Sequence, residues 1–223
     1  MECKVLDLGL REYAEVYDLQ KRMVELRVKG EIEDTLILVE HPPVITIGRR
    51  GSRRNILISE SRLREMGIKV FEVERGGDVT LHCPGQVVGY PILDLTRHGR
   101  DLYKYLRNLE TVIIRLLKEY NIQAVSNRGH RGVWVGKANI VSLGIACRRW
   151  ITWHGFSLNV NPDLTYFSLI NPCGIANGEV TSMAKIFGET ISYNGINPRL
   201  IHHFGEVFNL QMKETKCPES IIF

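Results

Sequence analysis

No stretch of this 223-residue chain comes near the roughly eighteen consecutive apolar residues that a membrane-spanning helix requires. The N-terminal MECKVLDLGLREYAEVYDLQ has no apolar signal core, because Glu and Asp interrupt it early. A cytoplasmic, reducing setting is expected. The five cysteines, Cys3, Cys83, Cys147, Cys173 and Cys217, form no C-x-x-C pair, and the odd count argues against a disulfide framework. His41, His82, His98, His130, His154, His202 and His203 show neither H-E-x-x-H nor His/Cys ligand spacing, so the sequence predicts no zinc site. A G-x-S-x-G elbow is absent, and GRRGSRRN (48–55) does not follow the P-loop order. Repeats, linkers and low-complexity segments are missing too. The net charge of +4 is too small to demand a nucleic acid, although it suits an acidic partner.

What remains is an ordinary globular composition, 44% hydrophobic and 24% charged, with length for one core. A single domain over 1–223 is expected. Residues 12–29 form an imperfect amphipathic helix, and TLILVEHPPVITIG (35–48) reads as two short strands broken at Pro42-Pro43. A short helix is predicted over 59–66 with Ser59 as its N-cap. IKVFEV (68–73) and DVTLH (78–82) read as strands, and VVGYPILDL (87–95) as an edge or bulged strand because of its interior proline. The clearest helix is 101–120, where Leu102, Leu106, Leu109, Val112, Ile113, Leu116 and Leu117 keep the i, i+3, i+4 spacing behind Asp101. Strands are predicted at 132–136, 139–147, 150–160 and around 180–192, then a C-terminal helix after Pro198. Consecutive strands with few helices argue α+β with a mixed or antiparallel sheet.

Three segments could carry chemistry. RGGDVTLHCPGQVVGYP (75–91) joins paired glycines, which allow close backbone approach, to His82 and Gln86. A salt bridge between Arg75 and Asp78 is expected to brace its turn. In NPCGIANG (171–178) Cys173 lies between proline and glycine. Those flanks force a loop, where a thiol is better placed to react than to pack. In GRRGSRRN, Arg49, Arg50, Arg53 and Arg54 could cradle a phosphate or lie solvated. Among the other cysteines, Cys83 is the second choice for reactivity, Cys147 continues an apolar strand, and Cys3 and Cys217 lie near the termini. His154, between aromatics in WHGF, reads as a satisfied, half-buried histidine.

Six pieces recur together: EHPPVITIGRR (40–50), RGGDVTLHCPGQVVGYPILDL (75–95), GVWVG (132–136), IVSLGIACRRWITWHGFSLNVNPDL (140–164), INPCG (170–174) and VTS (180–182). In this order and spacing they resemble the lipoate–protein ligase B family, the octanoyl-[acyl-carrier-protein]–protein octanoyltransferases. The resemblance implies an α+β fold like that of biotin and lipoate ligases, a sandwich of mixed sheets with flanking helices. It also implies transfer of an octanoyl group from acyl carrier protein to a lysine of a lipoyl domain through a cysteine thioester, the first step of endogenous lipoate synthesis. Cys173 takes the nucleophile's place. Acyl binding maps onto Arg75, Gly76, Gly77, Asp78, Val79, Thr80, Leu81 and His82, onto Ser142, Leu143 and Gly144, and onto Gly155, Phe156 and Ser157. The implied partners are acyl carrier protein, the lipoyl domains of 2-oxoacid dehydrogenase complexes and the glycine cleavage H protein. No metal or other cofactor, nucleic acid or membrane is implied. Arg148 and Arg149 join the arginines of 48–55 as a surface for an acidic carrier, or line the site.

The chain departs from the family pattern at two positions. The family lysine that lowers the cysteine's pKa aligns with Asn139. Lys137 stands two residues earlier, on the same side if the strand is regular, so it can act in that lysine's place. Alternatively the chain is an altered acyltransferase, or a binder of acyl chains or lipoyl domains without catalysis. An ATP-dependent lipoate ligase and an amidotransferase between lipoyl domains are the enzyme alternatives. The second departure is Cys83, where the family has glycine.

Overall fold

The computed structural model describes residues 1–127, 131–171 and 179–215. In chain order the elements are β1 (Glu2–Leu10), α1 (Tyr13–Lys29), β2 (Asp34–Glu40), β3 (Val44–Ile47), α2 (Glu60–Glu65), β4 (Lys69–Glu72), β5 (Val79–His82), β6 (Gln86–Ile92), α3 (Leu102–Glu119), β7 (Val125–Ser126), β8 (Gly132–Val135), β9 (Ala138–Arg148), β10 (Ile151–Asn159), α4 (Met183–Phe187), α5 (Ile196–Phe208) and β11 (Gln211–Glu214). Among the described residues they build an eight-stranded sheet, ordered β11-β1-β2-β6-β10-β9-β8-β7, and a three-stranded sheet, β4-β3-β5. The large sheet is mixed. β1 runs parallel to β11 and β2, whereas β2-β6, β6-β10, β10-β9 and β9-β8 pair antiparallel. This is the α+β class the sequence predicts.

Alternation along β2 sets the layers. Leu36 and Leu38 join the core under α3 and α5, while Ile37 and Val39 face α1. The leucine stripe of α3 is buried as its spacing demands, and Asp101 caps the helix by accepting from the Lys104 amide at 2.9 Å. Ser59 caps α2 in the same way. The small sheet has its own core of Ile45, Ile47, Leu63, Val79, Leu81, Cys83 and Ile170.

Several expectations need correction. β6 is a central strand between β2 and β10, not an edge, in spite of Pro91. Regular pairing with β10 covers only Gln86 to Gly89, so Pro91 lies past the end of that ladder and its missing N–H costs no bond there. Residues 180–192 do not form a strand. Val180 makes one isolated bridge to Asn139, and Ser182 then caps α4 by accepting from the Lys185 amide. The final helix begins at Ile196, so Pro198 sits in its first turn, where no amide donor is needed. β1, β7 and β11 have no counterpart among the strands expected from the sequence.

A buried polar junction ties α1 to the sheet. Asp34 accepts from Arg27 Nε at 2.9 Å, from the Asp94 amide at 2.9 Å and from His98 Nε2 at 3.0 Å. Burial alone would raise its pKa. The bonds from His98, the Asp94 amide and Arg27 outweigh burial and hold it below the usual carboxylate value. Asp34 therefore stabilises the fold above the unfolded carboxyl pKa, and this contribution is lost as pH falls through the depressed folded value. Asp34→Ala, which leaves Arg27 buried without its main partner, is expected to cost about 3–5 kcal/mol in urea unfolding at neutral pH. A loss below about 1 kcal/mol would mean that Asp94 alone satisfies Arg27.

Candidate active site

Three segments distant in sequence line one pocket. The antiparallel register of β9 and β10 sets Ser142 against Ser157, Leu143 against Phe156, and Gly144 against Gly155. The loop 75–78 lies across β9, with the Gly76 amide donating to the Ile145 carbonyl at 2.8 Å. Arg75, Gly77, Asp78, Val79, Thr80 and His82 then face Ser142, Leu143, Gly144, Gly155, Phe156 and Ser157 around a pocket of about 470 Å³, counting its open mouth. Val79, Leu143 and Phe156 supply apolar wall. Two of the expected residues lie elsewhere: Leu81 packs in the core of the small sheet, and Gly76 borders a neighbouring cleft with Tyr103 and Leu106.

Glycine is required where these segments touch. A Cβ on Gly144 would lie 2.8 Å from Arg75 Cδ and 3.0 Å from the Gly76 carbonyl oxygen, and one on Gly155 would collide with the Gly89 carbonyl oxygen. Arg75 is buried and joins the two sheets. Its Nη2 donates to the Thr46 carbonyl at 2.7 Å, its Nε donates to Thr46 Oγ1 at 3.1 Å and its Nη1 donates to the Gly76 carbonyl at 3.1 Å. The turn has a different brace from the expected Arg75–Asp78 pair. Asp78 accepts from the Val79 and Ser52 amides and from Asn55 Nδ2 at 2.6 Å. In the arginine loop Arg53 pairs with Glu72 and Glu60, and Arg148 pairs with Glu25.

The inner wall is a cluster of rings that the sequence did not reveal as site residues. Tyr13, Tyr90 and His154 line the pocket beside His82, and His41 packs edge-on to His82. His41 Nδ1 donates to the Arg11 carbonyl at 2.7 Å, so its Nε2 accepts from the Tyr90 hydroxyl at 2.9 Å. Gln86 Nε2 donates to Leu81 O and Asn159 Oδ1, which leaves Gln86 Oε1 to accept from His82 Nδ1 at 3.3 Å. The His82 lone pair is therefore on Nε2. His154 is not half-buried and satisfied. It is 2% exposed, adopts φ 53° inside β10 and has no hydrogen-bond partner at Nε2. Its amide donates to Gln20 Oε1 on α1 at 2.8 Å. The sequence signal for it was WHGF itself, a histidine beside one of the glycines that pack against β6.

Burial pushes all three imidazoles towards the neutral form. His41 falls to about 4 through desolvation. His154 falls to about 3 through desolvation and the Arg75 charge, and His82 is also lowered by burial, His41 and Arg75. The pocket thus holds buried polar rings that carry no charge at neutral pH.

Cys173 lies outside the described residues, which omit 172–178. Both flanks of that segment are tied to the pocket wall. On one side the Asn171 amide donates to the Asn55 carbonyl at 2.8 Å, and Asn55 holds Asp78. On the other side the Asn139 amide donates to the Glu179 carbonyl at 2.8 Å, and the Thr181 amide donates to the Asn139 carbonyl at 2.9 Å. Asn139 is 8% exposed. Its Nδ2 donates to Val141 O at 2.9 Å and its Oδ1 accepts from Ser142 Oγ at 3.2 Å. Asn159 Nδ2 also donates to the Thr181 carbonyl at 3.0 Å, which extends a polar ladder from His82 through Gln86 and Asn159. Lys137 occupies the exposed turn between β8 and β9, so the same-side relation to Asn139 expected of a regular strand does not hold. Cys83 is buried among Ile45, Leu63 and Ile170, and burial raises its thiol to about 12, so it does not compete as a nucleophile.

Residues 12–205 match the lipoyl protein ligase A/B catalytic domain family, and the chain belongs to that family. An octanoyltransferase from Caldicellulosiruptor saccharolyticus is 49% identical over 215 residues, covering 96% of this chain and 92% of that protein. One from Caldicellulosiruptor bescii is 51% identical, covering 90% and 89%. A bipartite lipoate protein ligase from Thermoplasma acidophilum shares the fold with a TM-score of 0.77 at 16% identity, over 100% of this chain and 91% of that one. The biotin protein ligase of Aquifex aeolicus matches with a TM-score of 0.57 at 13% identity, over 94% and 71%. Among the described residues no helix is long and apolar enough to cross a membrane.

The depressed histidines set a pH dependence. An unfolded histidine titrates near 6.5. The unfolded chain therefore binds more protons than the native one between there and the folded values of about 4 for His41 and about 3 for His154. Stability is full above pH 6.5 and should fall steadily towards pH 4, read as a declining urea midpoint. His154→Gln should flatten that decline. A midpoint that is constant over this range would show that the rings are protonated in the native state.

Proposed function

We propose that the chain is an acyltransferase that moves an octanoyl group from octanoyl-acyl carrier protein to the ε-amine of a lipoyl-domain lysine by way of a thioester on Cys173. Lipoyl domains of 2-oxoacid dehydrogenase complexes and the glycine cleavage H protein are the acceptors. The supporting observation is the pair of ties that join the residues flanking the Cys173 segment to residues lining the pocket, Asp78–Asn55–Asn171 and Ser142–Asn139–Thr181. Cys173 belongs to the segment between these two ties, and Val79, Leu143 and Phe156 give the pocket apolar wall for an acyl chain. Each methylene buried there contributes about 0.8 kcal/mol, and the neutral histidines add no charge to that of Arg75.

In the first step the Cys173 sulfur attacks the donor carbonyl carbon, the bond to the carrier's sulfur breaks, and the carrier thiol leaves with a proton. In the second an unprotonated lysine amine attacks the enzyme thioester, the amide forms and the Cys173 sulfur departs. A free cysteine is only slightly ionised at neutral pH, so it needs a cation nearby. Asn139 carries no charge, and we assign that task to Lys137, reaching from its exposed turn. Against the ATP-ligase reading, one of the four arginines of the basic loop, Arg53, is paired with Glu72 and Glu60.

Octanoyl-acyl carrier protein and a lipoyl domain mixed with the chain and no nucleotide should give octanoylated domain. Intact mass should show one octanoyl adduct that Cys173→Ser removes. A strict need for ATP would establish a ligase instead, and no adduct at any pH would favour a non-catalytic binder.

Lys137→Ala should abolish Cys173 acylation at neutral pH, with recovery as pH rises towards the free thiol's value. Normal acylation by this variant removes Lys137 from the mechanism. A faster Asn139→Lys variant would then identify the wild type as a weakened transferase.

A further inference from the structure

Helix α5 carries, beyond the apolar positions Ile196, Leu200 and Phe204, a group of side chains that the acyl pocket does not use: His202, His203 and Glu206. Glu206 offers one carboxylate oxygen to each ring. Its Oε1 lies 3.6 Å from His202 Nε2, and its Oε2 lies 3.5 Å from His203 Nδ1. Both separations are long for hydrogen bonds, which cluster at about 2.7–3.2 Å. Each is near the roughly 3.4 Å that bonds of roughly 2.0–2.1 Å to zinc set between neighbouring ligand atoms, and a small turn of the carboxylate brings one oxygen towards both rings. One ligand atom from each of the three residues lies within 4.8 Å of the others.

His203 supplies a second, independent observation. It is 9% exposed, and its Nδ1 is buried without a hydrogen-bond partner. Its other nitrogen, Nε2, stands 2.6 Å from Glu119 Oε1 at the end of α3. A carboxylate only accepts, so the hydrogen is on Nε2 and the Nδ1 lone pair faces the Glu206 carboxylate. That arrangement repels itself unless a cation or a second proton lies between. Glu119 is in turn held by Arg199 Nε at 2.8 Å. A carboxylate that orients an imidazole from behind is the usual outer partner of a metal-binding histidine.

We propose that His202, His203 and Glu206 bind a first-row divalent cation, with zinc as the ion their N,N,O set favours, water completing the tetrahedron and Glu119 positioning His203. The bound ion displaces the exposed Arg115 guanidinium, now 3.4 Å from Glu206 Oε2, and links α5 to α3 through Glu119. The spacing i, i+1, i+4 escapes the usual zinc patterns because adjacent helix residues diverge, and here Glu206 closes the gap between them. This inference does not depend on the acyl-transfer reading.

The test is to titrate the full chain, its reactive thiols first alkylated, with Co²⁺ and then Zn²⁺. Visible absorption and calorimetry follow the binding. One tetrahedral Co²⁺ per chain is expected, without sulfur charge-transfer bands and displaced by Zn²⁺, and Zn²⁺ should raise the melting temperature. Because His203 is buried, the deciding variants are those at the two exposed positions. His202→Asn and Glu206→Gln should each weaken Zn²⁺ binding about tenfold or more, with Glu119→Gln weakening it less. Absence of stoichiometric binding, or wild-type affinity in both exposed variants, would overturn the proposal and leave His203 as an imidazolium between two carboxylates.

Discussion

The buried guanidinium of Arg75 is the joint on which the site depends. It fastens the small sheet, through Thr46, to the loop that crosses the large sheet at Gly144. It also places a permanent positive charge among three buried imidazoles. Proton uptake by His82 or His154 would add a second buried cation, so the same group that builds the pocket also helps keep these two imidazoles neutral. Structure and electrostatics are two effects of one side chain here, and a lysine would supply the charge without the fork of bonds.

A second constraint is the neutral ladder from His82 through Gln86 and Asn159 to Thr181 and Asn139. Every amide in it is assigned by its acceptors, so the side chains have one orientation each. Asn139 suits this position because a primary amide both donates and accepts. Its Nδ2 closes on the Val141 carbonyl while its Oδ1 takes the Ser142 hydroxyl. A lysine here could donate but not accept. The residue that departs from the family pattern is thus fully engaged in holding the wall of the pocket and the end of the Cys173 segment.

Much of this was legible in the sequence where one physical rule dominates. The stripe and cap of α3, the strands around Pro42-Pro43 and the Ser59 cap follow from periodicity and local hydrogen bonding. The segments named from resemblance do come together, and twelve of their fourteen residues line one pocket. The failures have equally definite causes. Pro91 looked like an edge signal, but proline is barred only from positions where the ladder needs its N–H. Val180 to Ser192 has strand-like composition, but Ser182 acts as a cap. β1, studded with Lys and Asp, is recognisable only once β2 and β11 lie beside it. Tyr13, Tyr90 and His154 come from three elements, and no local pattern shows that they meet. The in-strand position expected for Lys137 failed because the β8–β9 connection is a tight turn rather than a continuation of the strand.

The contacts at Gly89, Gly144 and Gly155 leave no room for side chains where the strands and the Arg75 loop meet. One side of the pocket is therefore made of bare backbone and cannot be resculpted by ordinary substitution. The freedom lies in the side chains that line the rest of it, Tyr13, Val79, Tyr90, Leu143 and Phe156. The volume of this pocket can change only by trading bulk among those side chains. The glycines thus fix where the shape of the pocket can be altered and where it cannot.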